Sequence, residues 1–213
     1  MIFKNRSEAG KKLAEKLKEY KGNKNAIVIG LPRGGVVIAF EVARELNLEL
    51  DIIVTRKVGA PMQPELAVGA LTQDGEPILD RDFIEKLGIH DKDLEPIIQA
   101  EQDELQRRLE LYRGGKESLD LNGKVAIIVD DGVATGATMR AAIKSARKLG
   151  AEKIVVAIPV SPKDALEKIK SEADVVICLD IPDVFFGVGG FYQEFAQTED
   201  EQVISLLKNA ANS

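Results

Sequence analysis

Cysteine and histidine each occur once in these 213 residues, so no disulfide can form within the chain. Cys178 lies in the apolar run from Asp174 to Leu179, where a buried structural thiol is expected rather than a nucleophile or a metal ligand. His90 stands beside Asp91 and is expected at the surface or at a helix start, not as a base. No apolar run approaches the length that crosses a bilayer, and the opening MIFKNRSEAGKK has no apolar core of the secretory kind. A cytoplasmic chain with no membrane partner is therefore expected. An excess of positive charge is also missing: 29 Lys and Arg stand against 35 Asp and Glu, a net charge of -6. That balance disfavours an extended nucleic-acid surface. There is no internal repeat and no low-complexity linker, so residues 1–213 are expected to form a single domain.

What is present is a globular composition, 45% hydrophobic and 30% charged. Ala9, Leu13, Ala14 and Leu17 recur at helical spacing, predicting an opening amphipathic helix from Ser7 to Tyr20 with Ser7 as its cap. Ala26 to Gly30, a Leu-Pro-Arg-Gly-Gly turn, an apolar helix from about Val36 to Leu46 and a strand from Leu50 to Thr55 make one β-α-β unit. Lys124 to Val129, a turn through Asp130 to Gly136, a helix to Leu149 and a strand from Lys153 to Val160 make a second. A helix over 163–170 and a strand over 174–179 complete the series. Strands apolar throughout that alternate with helices imply an α/β fold, a parallel sheet covered on both faces, with ligands beyond the carboxyl ends of the strands. Both glycine-rich turns fall at such ends.

Between the units lie Leu66 to Leu71, a Gln73-Asp-Gly-Glu turn, and a helix from about Asp91 to Tyr112. Its stripe of Leu94, Ile98, Leu105, Leu109 and Tyr112 could face the domain or a second subunit, so a homodimer stays open. A closing helix is expected over Thr198 to Lys208, capped by Thr198.

The segment Val129-Asp-Asp-Gly-Val-Ala-Thr-Gly-Ala-Thr138 joins two carboxylates at a strand end to small and hydroxyl residues that open a helix. A helix N-terminus offers unpaired N–H groups and partial positive charge, so Ala134 to Thr138 can hold a phosphate, with hydroxyls from Thr135 and Thr138. Gly132 and Gly136 let the backbone approach. Adjacent acids repel unless they meet sugar hydroxyls or a divalent cation. A plainer reading has Asp131 capping the helix and the glycines allowing a tight turn. Earlier in the chain, the amides of Gly34 and Gly35 and the Arg33 guanidinium could receive a second anion. Val36 and Val37 stand where a Walker A lysine and hydroxyl would be, which excludes that kind of ATP loop.

The ten-residue string resembles the 5-phosphoribosyl-1-diphosphate (PRPP) signature of type I phosphoribosyltransferases. The resemblance implies that family's fold: a parallel-sheet core over about 24–180 with helices on both faces, and a small C-terminal hood at about 181–197. The segment at about 80–115 is a helical insert without counterpart in the common members. It further implies a PRPP site made by Arg33, Gly34, Gly35, Arg56, Lys57, Asp130, Asp131, Gly132, Ala134, Thr135, Gly136, Ala137 and Thr138. Asp130 and Asp131 would contact the ribose hydroxyls and, directly or through PRPP and water, Mg2+. Ala134 to Thr138 would cradle the 5-phosphate, and Lys57 would neutralise diphosphate. In this family a mobile loop follows the Arg-Lys element; here Pro61 and Pro64 stiffen it. The 6-oxopurine members carry a catalytic aspartate where this chain has Ala134, which weakens a hypoxanthine or guanine assignment.

The expected function is transfer of the phosphoribosyl group to a nitrogenous acceptor of the nucleobase class, in nucleotide salvage, with release of diphosphate. Lys57, Asp130 and Asp131 are the expected catalytic residues. As diphosphate leaves, the sugar carbon becomes oxocarbenium-like, so charge neutralisation and water exclusion are needed and a protein nucleophile is not. Phe185, Phe186, Phe191 and Tyr192 offer stacking surface in the hood, or core. Arg107, Arg108 and Arg113 either reach a phosphate or solvate a helix face. The rival readings are a PRPP-sensing regulator without transfer chemistry, a hydrolase of a related sugar phosphate, and an interaction module.

Overall fold

The computed structural model of the chain describes residues 1–114 and 119–211. Residue 115, the expected end of the insert, lies outside the described residues. Helix α1 spans Arg6–Lys16. Its cap is Asn5, whose side chain accepts from Glu8 N at 3.1 Å. Ser7, the expected cap, already lies in the first turn and donates its hydroxyl to Glu41.

Strand β1 (Ala26–Gly30), helix α2 (Gly34–Leu46) and strand β2 (Glu49–Ile52) form the first β-α-β unit. β2 stops short of the expected Thr55, where Val54 N donates to the Gln73 side chain instead of a ladder partner. Next come β3 (Arg56–Ala60), β4 (Gln63–Leu71) and β5 (Pro77–Leu79), a separate antiparallel sheet. The segment after Lys57 is a β-hairpin: Ala60 pairs with Gln63 across a turn at Pro61 and Met62. Helices α3 (Arg81–Lys86) and α4 (Asp91–Arg113) follow.

The second unit is β6 (Val125–Val129), α5 (Ala137–Lys148) and β7 (Lys153–Val160), continued by α6 (Lys163–Lys170) and β8 (Val175–Asp180). The last helix, α7, spans Asp200–Ala211. It starts beyond the expected Thr198 cap, with Val203 N donating to the Glu199 carbonyl at 3.3 Å.

The main sheet runs β2-β1-β6-β7-β8, all parallel. Successive strand residues point to opposite faces, so one apolar run feeds two cores. Ile27, Ile29 and Ile128 pack under Met139, Ile143, Leu166 and Ile169 of α5 and α6. Val28, Ile127 and Val129 pack under Leu13, Ile38 and Val42 of α1 and α2. Each such fully buried aliphatic side chain contributes about 2 kcal/mol.

A third cluster joins the antiparallel sheet to α4 and α7, with Leu94, Leu105 and Tyr112 buried and Ile98 and Leu109 against it. The α4 stripe therefore faces its own chain. Among the described residues no helix is long and apolar enough to cross a membrane.

Chain order along the main sheet reverses between β1 and β6, because β1 leads outward to β2 while β6 leads the other way to β7. Loops leaving strands on either side of such a reversal diverge and leave a crevice at the carboxyl ends. The loops that leave β1 and β6 are the two glycine-rich turns.

Candidate functional site

Leu31 N donates to Val129 O at 3.0 Å, which locks the start of the first turn onto the end of β6. The Pro32–Arg33 peptide bond is cis. Gly34 and Gly35 then open α2 directly against Asp130 and Asp131. A Cβ on Gly34 would sit 2.0 Å from Asp131 Oδ2, and one on Gly35 would sit 2.8 Å from Asp130 Oδ1 and 2.9 Å from its Cα. No side chain fits at either position. Two turns far apart in sequence thus touch, and the contact calls for glycine on the side that faces the acid pair.

Asp130 Oδ1 accepts from Asp131 N at 2.8 Å. Asp131 Oδ2 accepts from Arg6 Nε at 2.8 Å. Among the described residues, Asp130 Oδ2 and Asp131 Oδ1 accept no hydrogen bond. Burial, then the Asp131 charge, push the Asp130 carboxyl well above the usual range; burial also raises Asp131, against the pull of Arg6. A pair of carboxyls held in this way gains from a ligand that brings hydroxyl donors or positive charge.

Beyond the acids, Gly136 turns with φ +85° and caps α5, whose first-turn N–H groups point back along the loop. Ala134 and Thr135 are exposed, and Thr135 Oγ1 accepts from Ala137 N at 3.4 Å. A cleft of about 460 Å³ opens beside Ala134, Thr135 and Ala137, with Leu66, Phe83, Arg140 and Lys168 on its walls. Larger cavities of about 610 and 660 Å³ lie elsewhere, at Gln106 and Lys148 and at Met62 and Leu87. Neither reaches either glycine turn, so volume alone does not choose the site.

The family described as phosphoribosyl transferase domain matches residues 2–195. This chain belongs to that phosphoribosyl transferase domain family. It is 44% identical over 209 residues to the Mycobacterium tuberculosis protein named "Putative phosphoribosyl transferase Rv0571c", covering 98% of this chain and 47% of that one. The chain spans about half the length of the curated relatives it matches. The crystal structure of TT1426 from Thermus thermophilus superposes with a TM-score of 0.81 at 41% identity, covering 98% of this chain and 99% of that one. A hypothetical protein from Neisseria gonorrhoeae with bound ppGpp shares the fold, with a TM-score of 0.52 at 14% identity over 98% of this chain and 96% of that one.

Within this phosphoribosyl transferase domain, the remaining cations are distributed unevenly. Arg33 Nη1 lies 3.5 Å from Glu199 Oε2 and 3.8 Å from Asp200 Oδ1, so the cation of the first glycine turn leans on the start of α7. Arg56 Nε donates to Glu101 Oε2 of α4 at 2.6 Å. Lys57 Nζ donates at 3.0 Å to Glu65, whose side chain is 97% exposed. Arg107 and Arg108 both donate to Glu104, and Arg113 lies 3.4 Å from Asp51. These three insert arginines are thus engaged inside the chain.

Cys178 is half-buried rather than fully buried; burial pushes its thiol up to about 11, and Sγ donates to Asp180 O at 3.1 Å. His90 is exposed at the start of α4. Of the hood aromatics, Phe186 is 99% exposed, Phe185 stacks on Phe191 at 5.6 Å, and Tyr192 is buried. The Tyr192 hydroxyl donates to the Asp131 carbonyl at 2.6 Å.

Arg6 is the site residue that sequence reasoning missed. It sits in an ordinary-looking run, Asn5-Arg6-Ser7-Glu8, and no spacing ties it to an acid 125 positions away.

Proposed function

We propose that the chain binds PRPP as its magnesium complex across the two glycine turns and transfers the 5-phosphoribosyl group to a nitrogenous acceptor of the nucleobase class. The observation that carries this reading is the contact of Gly34 and Gly35 with Asp130 and Asp131 at the reversal of the main sheet. It brings together a turn whose amides could receive an anion, the N-terminus of α5 and two carboxylate oxygens that accept no hydrogen bond among the described residues. In the proposed pose, Asp130 Oδ2 and Asp131 Oδ1 accept the ribose hydroxyls. Ala134 to Thr138 wrap the 5-phosphate, and Gly34, Gly35, Arg33 and Lys57 face the diphosphate, with Arg56 behind Lys57.

The donor set also suits magnesium. No group of three or more His, Cys, Asp or Glu side chains is placed to cage a metal ion among the described residues. Mg2+ is held by one or two carboxylates together with substrate oxygens and water, which Asp130 and Asp131 can supply beside PRPP. The ion would neutralise charge on the departing diphosphate. Arg33 and Lys57 add to that neutralisation, Asp130 and Asp131 fix the sugar, and the hood limits water at the reacting carbon.

Ala134 is exposed and stands where the 6-oxopurine members carry a catalytic aspartate, which weakens a hypoxanthine or guanine acceptor. A PRPP-sensing protein that binds but does not transfer would have the same two turns. Calorimetric titration of PRPP with and without Mg2+, followed by a diphosphate-release assay with the common purine and pyrimidine bases, separates the cases. Magnesium-dependent binding with release for one base supports the transferase, binding without release for any base supports the sensor, and no binding overturns both.

A further inference from the structure

The first residues of the chain are stitched to the hood. Phe3 N donates to Phe191 O at 2.8 Å, Gln193 N to Phe3 O at 2.9 Å and Glu194 N to Lys4 O at 2.9 Å. This short ladder delivers Arg6, at the start of α1, to the acid pair. Arg6 donates Nε to Asp131 Oδ2 at 2.8 Å and Nη1 to Ala196 O at 2.7 Å, and its guanidinium lies 3.9 Å from the Phe195 ring centre. Phe195 in turn stacks on Tyr192 at 5.0 Å, and the Tyr192 hydroxyl returns to the Asp131 carbonyl. The circuit closes through side chain, ring and backbone.

We propose that Arg6 is a positioning residue for the ribose-binding carboxylate: it takes Asp131 Oδ2, leaves Oδ1 for the ligand, and makes hood position and carboxylate orientation interdependent. This rests on the reading of Asp131 as a ribose ligand given above. Three features separate it from an incidental ion pair. Arg6 and Asp131 side chains are only 11% and 16% exposed, so the pair is not a solvated surface contact. The planar guanidinium spends different edges and its face on three partners, which a lysine cannot copy. Gly34 keeps the space open, since a Cβ there would lie 2.9 Å from Arg6 Nε as well as against Asp131.

The charged and titratable groups that face Asp131 are Arg6 from α1, Asp130 at the end of β6 and the Tyr192 hydroxyl from the hood. A hood displaced by a bound acceptor would pull on Ala196 and Phe195 and, through Arg6, on the same carboxylate.

The test uses Arg6→Gln and Arg6→Lys in the full chain, with calorimetry of PRPP and Mg2+. Arg6→Gln is expected to weaken PRPP binding about tenfold, and Arg6→Lys should restore only part of the affinity. In an Asp131→Asn background, Arg6→Gln should cause little further loss.

An Arg6→Gln protein that is less heat-stable but keeps wild-type affinity would overturn the proposal in favour of a purely structural role. Should that variant not fold, unchanged affinity in Arg6→Lys would overturn it equally. A wild-type protein that binds no PRPP would defeat the functional reading instead, while a double-mutant cycle of Arg6→Gln and Asp131→Asn in thermal unfolding would still report whether Arg6 and Asp131 are coupled.

Discussion

Gly34 lies so close to Asp131 that a Cβ there would reach to 2.0 Å from Oδ2. Gly34 opens α2, where alanine would otherwise favour the helix by about 1 kcal/mol. Gly34→Ala therefore separates local propensity from the contact across the crevice. The Asp131 carboxylate must swing away and break with Arg6, so the variant should lose PRPP affinity by more than about tenfold. Its thermal midpoint should fall as well, despite the gain in helix propensity. Calorimetry and thermal unfolding on one preparation check both.

Asp130 gives a test of the cost of holding two acids together. Its folded-state carboxyl is raised above the unfolded value by burial and by Asp131. A raised carboxyl binds more protons folded than unfolded, so its contribution to stability falls as pH rises from the unfolded value of 3.8 through the folded one. At neutral pH the charged pair destabilises the fold. Asp130→Asn keeps an oxygen for Asp131 N and removes the charge, so it should raise neutral-pH stability and flatten the dependence on pH. Denaturant unfolding at several pH values reads this out, and PRPP affinity should drop in the same variant.

Arg33 leans on Glu199 and Asp200 at ion-pair distance. Asp200 also accepts the Tyr112 hydroxyl at 2.5 Å, so Glu199, with its side chain 60% exposed, is the less disruptive of the two to alter. Glu199→Gln removes an anion that, in the proposed pose, would compete with diphosphate for Arg33. PRPP should bind more tightly by about a factor of two to five at low salt, and the gain should shrink as salt is added. A salt series of calorimetric titrations decides it.

Lys57 and His90 make a contrasting pair of alanine variants. Among the described residues the Lys57 ammonium pairs with the exposed Glu65, so Lys57→Ala should leave stability unchanged within about 0.5 kcal/mol and weaken PRPP binding by at least about 1 kcal/mol. Asp131→Asn should weaken binding by a similar amount. His90→Ala removes an exposed side chain at a helix start, where Asp93 still accepts from the backbone N–H at 3.2 Å. It should be silent in both binding and turnover, and a loss there would mean that the insert takes part in the chemistry.

The main-sheet elements were legible because their signals are local. Ala26–Gly30 and Lys153–Val160 are apolar through both faces and bounded by turn residues, and both strands have the boundaries that the pattern predicts. The antiparallel sheet was not legible. Leu66 to Leu71 was only a short apolar run, and β5 is Pro77–Leu79. Such strands are defined by their partners rather than by their own pattern. The serine cap failed for a similar reason, since Ser7 found its acceptor in Glu41, 34 positions along the chain.

The sequence by itself determined the two glycine turns, the acid pair at a strand end and the alternation of strand and helix, because each is written in consecutive residues. Only the tertiary structure decided that Gly34 and Gly35 abut Asp130 and Asp131, that the α4 stripe faces inward, and that Arg6 reaches Asp131 while Arg33 and Arg56 lean on α7 and α4. Those outcomes depend on strand order, and the outward step from β1 to β2 followed by the return to β6 is fixed by packing apolar faces against helices on both sides. A charged side chain then pairs with whatever carboxylate that packing brings within reach, and adjacency along the chain has no say in which one it is.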